Sequence, residues 1–216
     1  MKRSFISDMG RLPCSSDVPH RCPSDVPHRA AFAPVRGRAI PSSASPFGPC
    51  ASGPMKIVTW NVNSIKVRVP HVCDYLRATS PDVLLLQETK VADDKFPALE
   101  IEDLGYTVAI HGQRTYNGVA ILSKHPMEDV IRGLPGNTDD DQSRYIEATI
   151  LGLRIGSLYL PNGNPLGTEK FDYKLRWMGH LRERARTLLE DDVDFALGGD
   201  WNIAPEAEDL FDPGAF

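Results

Sequence analysis

The stretch Leu197-Gly198-Gly199-Asp200-Trp201-Asn202 follows a short apolar run, Val193-Asp194-Phe195-Ala196-Leu197, which is typical of a β-strand. Its two glycines let the backbone turn sharply and approach a ligand closely. A carboxylate and a carboxamide come next, where α/β proteins usually place reacting groups. Each of these residues is also an ordinary turn residue. The stretch by itself does not decide between a functional site and a turn, and polar residues at the ends of other strands would favour the site.

Charge is distributed unevenly along the 216 residues, which are enough for one domain with a sizeable core. Residues 1–54 carry seven Lys/Arg and three Asp, which give this segment a net charge of +4. Because the whole chain has a net charge of −5, residues 55–216 carry −9. Such an acidic body argues against non-specific nucleic-acid binding through net charge. It still allows a local basic groove, or a site that meets phosphate through a bound metal.

The first 54 residues differ in composition from the rest of the chain. Residues 16–21 recur as residues 24–29, and nine of the 18 prolines fall in this segment. Because apolar periodicity is absent, we expect residues 1–54 to be a disordered, low-complexity extension. A targeting peptide is the alternative interpretation. We favour Met55 as the natural start, since a clean strand pattern begins there.

Neither a membrane segment nor a disulfide framework is predicted. No run of about 18 apolar residues exists, and no apolar segment follows the basic start. Three of the four cysteines lie in the first 54 residues, and their spacing supports no zinc site. We therefore expect a cytoplasmic monomer that does not associate with membranes.

Residues 55–216 alternate between strand and helix patterns. The apolar run 82–87 predicts a strand that is buried on both faces. The helix predicted at 169–190 has an apolar stripe, with Trp177 expected in the core, and the stripe comprises Phe171, Leu175, Met178, Leu181, Ala185 and Leu188. A second helix is predicted at 67–77, and further strands at 56–60, 106–111, 118–122, 130–131, 144–151, 153–160 and 193–197. The acidic loop 136–142 lacks the pattern of a calcium-binding loop and is expected to be solvated.

Polar side chains recur at the ends of the predicted strands. They are Asn61, Glu88, Tyr159 with Asn162, and Asp200 with Asn202. Carboxylate and amide oxygens suit a hard cation such as Mg²⁺, which also grips phosphate oxygens. Such a cation would act as a Lewis acid in phosphoester hydrolysis.

Five segments resemble, in order, the motifs of the exonuclease III family of the endonuclease/exonuclease/phosphatase superfamily. They are residues 56–63, 86–90, 118–123, 159–163 and 199–202, with sequences KIVTWNVN, LQETK, GVAILS, YLPNG and GDWN. The resemblance implies a four-layer α/β sandwich, with two mixed sheets packed face to face and helices outside. It also implies Mg²⁺- or Mn²⁺-dependent hydrolysis of duplex DNA at 3′ ends, at abasic sites or at 3′-phosphates.

The resemblance also implies roles for single residues. Glu88 would bind the metal with Asn61 beside it. Tyr159 would contact the scissile phosphate, and Asp200 would orient or deprotonate the attacking water. The remaining expected contacts to phosphate or water come from Asn202, Asn162 and Lys90.

One departure from the family pattern affects the expected activity. The resemblance implies a C-terminal segment with further strands and an Asp-His pair, and the histidines at 71, 111, 125 and 180 do not match it. We therefore expect residues 55–216 to form a domain that lacks its C-terminal part and has an incomplete second sheet. Two alternatives to a DNA-repair nuclease stay open. One is a catalytically incomplete fragment that at most binds metal or DNA, and this inactive behaviour is what we expect of the 216 residues by themselves. The other is a phosphodiesterase acting on inositol phosphates or sphingolipid.

Overall fold

Nine strands and three helices make up the described part of the chain. The computed structural model describes residues 6–12, 54–204, 206 and 209. The strands are β1 (Ile6–Leu12), β2 (Met55–Asn61), β3 (Val83–Gln87), β4 (Thr107–His111), β5 (Val119–Ser123), β6 (Glu128–Arg132), β7 (Tyr145–Ile150), β8 (Leu153–Tyr159) and β9 (Phe195–Asp200). The helices are α1 (Ile65–Thr79), α2 (Ala98–Glu102) and α3 (Glu169–Glu190), and a short 3₁₀ turn spans Asp93–Lys95.

The strands form two mixed sheets. The first has the order β1-β2-β3-β5-β4 and the second has the order β6-β7-β8-β9. In the first sheet β2 and β3 are parallel because α1 crosses between them, whereas β5 runs antiparallel to β3 and β4. In the second sheet α3 crosses from β8 to a parallel β9, and β7–β8 is an antiparallel hairpin. Each sheet thus contains one helix-linked parallel pair.

Three apolar clusters define four layers. One joins α1 and α2 to the outer face of the first sheet through residues such as Val72 and Leu84. The second fills the space between the two sheets, and it includes Leu85 of the first sheet and Ile155 of the second. The third packs α3 against the second sheet around Trp177. The predicted four-layer α/β sandwich is therefore confirmed, and β3 is buried at all five positions as expected.

Helix α3 has the predicted bounds, but its buried face only partly matches the predicted stripe. Trp177, Leu181 and Leu188 are buried, whereas Leu175 is 50% exposed and Met178 is 36% exposed. The predicted stripe was therefore wrong at Leu175 and Met178. The second sheet selects the face on which the bulky Trp177 can be fully covered, and a periodicity argument does not weigh residue size. The placement of Trp177 in the core is confirmed.

Ile6–Leu12 lie within the segment that was expected to be disordered. These residues form β1, which lies beside β2 at the edge of the first sheet. An open strand edge offers unpaired N–H and C=O groups, so pairing with it requires no apolar periodicity. Residues 13–53 of the predicted disordered segment lie outside the described residues.

Glu147 anchors α3 to the second sheet through charge. It is fully buried on β7 and binds Arg154 of β8, with Nη2 to Oε1 at 2.7 Å. Arg184 of α3 also donates to Glu147, and the Tyr145 hydroxyl donates to Oε2 at 2.6 Å. Burial works to raise the pKa of Glu147, but these donors outweigh it and hold the pKa below its ordinary value. The helix that leads into β9 is therefore fixed by polar as well as apolar contacts.

Membrane-spanning helices are absent from the described residues, since none of their helices combines the necessary length and apolarity.

Substitution of Trp177 should separate the buried face of α3 from its exposed face. Trp177→Ala should lower the free energy of unfolding by about 3–5 kcal/mol because it opens a cavity against the second sheet. Leu175→Ala, on the exposed side of the same helix, should change it by no more than about 0.5 kcal/mol. Urea unfolding followed by circular dichroism measures both. A larger loss in Leu175→Ala than in Trp177→Ala would contradict this assignment of the buried face.

Candidate functional site

The parallel strand pairs bring four predicted site residues to adjacent strand ends. In the first sheet Asn61 is the last residue of β2 and is paired with Gln87, so Glu88 follows directly beside it. In the second sheet Tyr159 at the end of β8 is paired with Asp200 at the end of β9. Because the carboxyl ends of both pairs meet at one edge of the sandwich, residues far apart in sequence share one cleft.

The Asn61 amide joins the two sheets at this cleft. Its Nδ2 donates to Glu88 Oε1 and to Asp200 Oδ2, both at 2.8 Å. Its Oδ1 accepts a hydrogen bond from the backbone N–H of Asn63 at 3.1 Å, which fixes the orientation of the amide. One carboxamide therefore binds a carboxylate from each sheet.

The segment after β3 has an unusual backbone. Glu88 and Lys90 both have left-handed conformations, with φ of 53° and 56°. Non-glycine residues adopt this region at a cost that surrounding contacts must offset. Here the Glu88 carbonyl accepts from the Ser64 N–H at 2.7 Å, and the Lys90 N–H donates to the Asn117 carbonyl at 3.0 Å. These bonds hold the Glu88 carboxylate in the cleft.

Lys90 is the charge partner of Glu88, with Nζ to Oε2 at 2.8 Å. The Glu88 residue is only 8% exposed. Burial acts to raise the pKa of Glu88, but hydrogen bonds from Lys90 and Asn61 and the Lys90 charge prevail and lower the pKa. Glu88 is therefore ionised at neutral pH.

The Tyr159 hydroxyl lies beside Glu88. Burial, followed by the negative charge of Glu88, raises the pKa of Tyr159 to about 12. The phenol is therefore protonated at neutral pH and can donate a hydrogen bond to an anion. The Arg144 guanidinium lies over the Tyr159 ring, 4.8 Å from its centroid.

Asp200 is fixed on both oxygens. Oδ2 accepts from Asn61, and Oδ1 accepts from the backbone N–H of Asn202 at 3.0 Å. The Asn202 side chain donates its Nδ2 to the Leu160 carbonyl at 2.7 Å. Gly199 has a φ of 152°, and a Cβ there would overlap the Leu158 backbone. Gly199 thus lies close to the backbone of β8, whereas the close approach of the glycine pair to a ligand stays a prediction.

Asn162 lies apart from the other predicted residues. Its side chain is exposed, and its Oδ1 accepts from the backbone N–H of Asn164 at 3.1 Å. Lys174 connects this loop to the cleft, because its Nζ donates to the carbonyls of Asn162 at 3.2 Å and Asn202 at 2.7 Å. Asn202 likewise reaches the cleft through Asp200 and does not contact Glu88 among the described hydrogen bonds. Asn162 and Asn202 therefore border the central group, which consists of Asn61, Glu88, Lys90, Tyr159 and Asp200.

The donor set of the cleft fits a hard divalent cation. Two carboxylates, Glu88 and Asp200, converge on one amide, while Mg²⁺ sites commonly use one or two carboxylates and retain several waters. No group of three or more His, Cys, Asp or Glu side chains suited to a metal occurs among the described residues. The oxygens available to a cation are therefore those of Glu88 and Asp200. The Asn61 side-chain amide presents its Nδ2 to both carboxylates, so it would have to rotate before its Oδ1 could bind a cation.

Two basic residues near the cleft were not predicted from sequence. Arg144 lines an open cavity of about 400 Å³ together with Gln113, Tyr116, Asn117, Asp141 and Gln142. Lys174 faces the cleft from the first turns of α3. Arg144 directly precedes β7 and Lys174 lies in a charged helix, so neither position had a local signal. Only their neighbours in the fold identify them.

Comparison with known proteins shows the family to which the chain belongs. Residues 58–216 match the model of the Endonuclease/Exonuclease/phosphatase family. The chain belongs to this family. Exodeoxyribonuclease III of Haemophilus influenzae is 34% identical over 161 residues, which are 72% of this chain and 60% of that protein. The exodeoxyribonuclease of Bacillus subtilis is 30% identical over 163 residues, 74% of this chain and 64% of that protein. The resemblance predicted from sequence is confirmed.

Solved structures of family members share the same architecture. A 3′ phosphatase, NExo, from Neisseria, bound to a product DNA hairpin, is 45% identical with a TM-score of 0.70, over 74% of this chain and 63% of that one. An AP endonuclease from Archaeoglobus fulgidus is 38% identical with a TM-score of 0.70, over 74% of this chain and 62% of that one. The chain thus spans less than two thirds of the length of these family members.

Replacement of the bridging amide should test the electrostatics of the cleft. Asn61→Asp keeps the shape but puts a third carboxylate between Glu88 and Asp200. In the presence of EDTA at neutral pH, the free energy of unfolding should fall by about 1–3 kcal/mol because two hydrogen bonds become repulsions. Urea unfolding measures the loss.

Asn63→Asp provides the matched control. The Asn63 Oδ1 accepts from Lys90 Nζ, so a carboxylate there gains a cationic partner and should not destabilise the fold. Equal losses in the two variants would contradict the bridging role of Asn61.

Proposed function

We propose that this chain carries the phosphoester-hydrolysing centre of a divalent-metal-dependent DNA nuclease that acts in DNA repair. The observation that supports this most strongly is the Asn61 amide bound to both Glu88 and Asp200, with the Tyr159 hydroxyl beside them. A buried carboxylate, a second carboxylate and a phenol donor at one point suit the in-line attack of water on a phosphate. The named relatives, which are exodeoxyribonucleases, an AP endonuclease and a 3′ phosphatase, favour DNA as the substrate.

Asp200 is the proposed base for the attacking water. Both its oxygens already accept hydrogen bonds, from Asn61 and from the backbone of Asn202, so its carboxylate has one fixed orientation. Its remaining lone pairs can accept a proton from water held in the cleft. Asn202 in turn is locked to the Leu160 carbonyl, and we propose that it holds the water or the phosphate in place.

Tyr159 is the proposed donor to the scissile phosphate. Its raised pKa of about 12 keeps the hydroxyl protonated, so it can donate to an oxygen on which negative charge builds up. Lys90 and Lys174 add positive charge on either side of the cleft. Local basic residues are needed here because the body of the chain is acidic. Asn162, at the exposed rim, is proposed to contact a flanking phosphate.

Glu88, with Asp200 or a turned Asn61 amide as second ligand, would hold Mg²⁺ or Mn²⁺, which when bound would neutralise charge on the phosphate. Lys90 has a separate task in this proposal, because it offsets the charge of Glu88 and keeps that carboxylate ionised and in place.

Processing of 3′ ends is the activity that the comparisons favour. The solved structures at 45% identity are named a 3′ phosphatase and a 3′-5′ exonuclease, whereas the AP endonuclease is 38% identical. We therefore propose that removal of 3′-phosphates or 3′-nucleotides from duplex DNA exceeds incision at abasic sites. Duplex DNA is the proposed partner, and the chain is proposed to act as a cytoplasmic monomer.

A substrate panel tests this proposal. The purified chain with Mg²⁺ or Mn²⁺ should release phosphate from a 3′-phosphorylated duplex faster than it nicks an abasic duplex, and should not hydrolyse inositol phosphates or sphingomyelin. Asp200→Asn should reduce the rate by about 10²–10⁴-fold because the proton acceptor is lost. Asp139→Asn, in an exposed loop, is the matched control and should keep the full rate.

Three outcomes would contradict the proposal. Full activity in Asp200→Asn would remove the proposed base. Faster turnover of a non-DNA phosphodiester would favour the alternative substrate class. No turnover of any substrate by a folded chain would favour a catalytically incomplete fragment, as expected if a histidine outside the matched motifs is required.

A further inference from the structure

Arg144 lies close to two tyrosine rings beside the cleft. Its guanidinium carbon is 4.8 Å from the centroid of the Tyr159 ring and 6.0 Å from that of the Tyr173 ring. A guanidinium at these distances from an aromatic face is attracted by the ring quadrupole. Arg144 therefore links an active-site tyrosine of β8 to a tyrosine of α3.

Hydrogen bonds fix the position of this guanidinium. Arg144 Nε donates to Gln142 Oε1 at 2.9 Å, and its Nη1 donates to the Tyr159 carbonyl at 3.3 Å. The two backbones are also joined, because the Tyr159 N–H donates to the Arg144 carbonyl at 2.8 Å. A rigid guanidinium plane held in this way limits how the Tyr159 ring can tilt.

The acidic loop 136–142 completes the network through Asp140. The Tyr173 hydroxyl donates to Asp140 Oδ2 at 2.7 Å, and the Gln142 backbone N–H donates to Asp140 Oδ1 at 3.1 Å. Asp140 thus supports Arg144 in two ways. It orients the Tyr173 ring, and it fixes the backbone of Gln142, whose side chain accepts from Arg144 Nε. The loop was expected to be solvated, but Asp140 is half-buried and has three hydrogen-bond donors, the third being the Asn137 amide.

We propose that Tyr173 and Asp140 are positioning residues, which hold Arg144 against the Tyr159 ring and so direct the Tyr159 hydroxyl toward the reacting phosphate. This inference rests on the proposed function, in which Tyr159 donates to that phosphate. Neither Tyr173 nor Asp140 lies within hydrogen-bond distance of Asn61, Glu88 or Asp200 among the described contacts. Their influence on the reaction therefore passes through Arg144 and Tyr159.

A structural role alone would predict a different pattern of effects. If the bond from Tyr173 to Asp140 only tied α3 to the loop, its removal would lower stability and leave Tyr159 unchanged in the folded protein. If it positions Arg144, its removal would alter the surroundings of the Tyr159 ring in a fully folded chain. The state of the Tyr159 ring therefore distinguishes the two roles.

Nuclear magnetic resonance of ring-labelled tyrosine reads that state directly. In metal-free chain at neutral pH, the Tyr159 signal is assigned by its loss in Tyr159→Phe. Tyr173→Phe removes a hydroxyl and Asp140→Asn removes a charge, and both keep the side-chain shape. Each should shift the Tyr159 signal. Arg144→Lys, which keeps the charge but loses the planar fork, should shift it as well.

Two matched controls should leave the Tyr159 signal in place. Tyr75→Phe removes a hydroxyl from α1, where the ring packs edge-on against Trp60 in another layer. Asp139→Asn makes the same charge change as Asp140→Asn, one residue away on an exposed side chain. An unchanged Tyr159 signal in both Tyr173→Phe and Asp140→Asn would overturn the inference.

Kinetics on a 3′-phosphorylated duplex gives a second test. Tyr173→Phe should lower kcat by about tenfold with little change in KM, because a misdirected donor weakens the transition state more than substrate binding. In a Tyr159→Phe background the same substitution should have no further effect, since its route to the phosphate is gone. A fully additive effect would overturn the inference.

Failure of the proposed function would be distinguishable from failure of the inference. A chain that turns over no DNA would contradict the proposed function, while the Tyr159 signal would still decide whether Tyr173 and Asp140 position Arg144.

Discussion

The structure depends on one carboxamide that binds a carboxylate from each of two sheets. Asn61 ends β2 in the first sheet, and its Nδ2 reaches Glu88 in that sheet and Asp200 at the end of β9 in the second. Asn61 and Asp200 are 139 residues apart in sequence. Both helix crossovers and the apolar layer between the sheets are needed to bring them together. The cleft thus forms only when the two sheets pack together so that Asn61 meets Asp200.

Local pattern was sufficient to predict strands β2 to β9, the bounds of α3 and the residues at the strand ends, but it did not predict β1. Asn61, Glu88 and Asp200 could be predicted because parallel strands end at a common edge, and chain order then suggests which end groups meet. The face of α3 could not, since Leu175 and Trp177 are both apolar and only the second sheet determines which one is covered. Arg144, whose partners are set by tertiary packing, also had no local signal.

Several departures from ordinary backbone conformation lie at the cleft. Glu88, Lys90 and Asn202 all have left-handed backbones, and Gly199 lies against β8 where no side chain fits. Such strain persists when surrounding contacts enforce it, and it is concentrated at functional sites. Two layers of support are visible, the Asn61 amide within the cleft and the Asp140–Tyr173–Arg144 network behind Tyr159. In this acidic chain, fixed hydrogen-bond donors and a few local cations therefore order the side chains of the cleft.

The location of a divalent ion bound by the folded chain tests the central claim most directly. Crystals soaked in Mn²⁺ should show an anomalous scattering peak at the cleft, with a Glu88 carboxylate oxygen about 2 Å away and Asp200 facing the same peak. Crystals of Glu88→Gln treated identically should lose it. Mn²⁺ bound away from both carboxylates, or unchanged in Glu88→Gln, would contradict the assignment of this cleft as the metal-dependent centre.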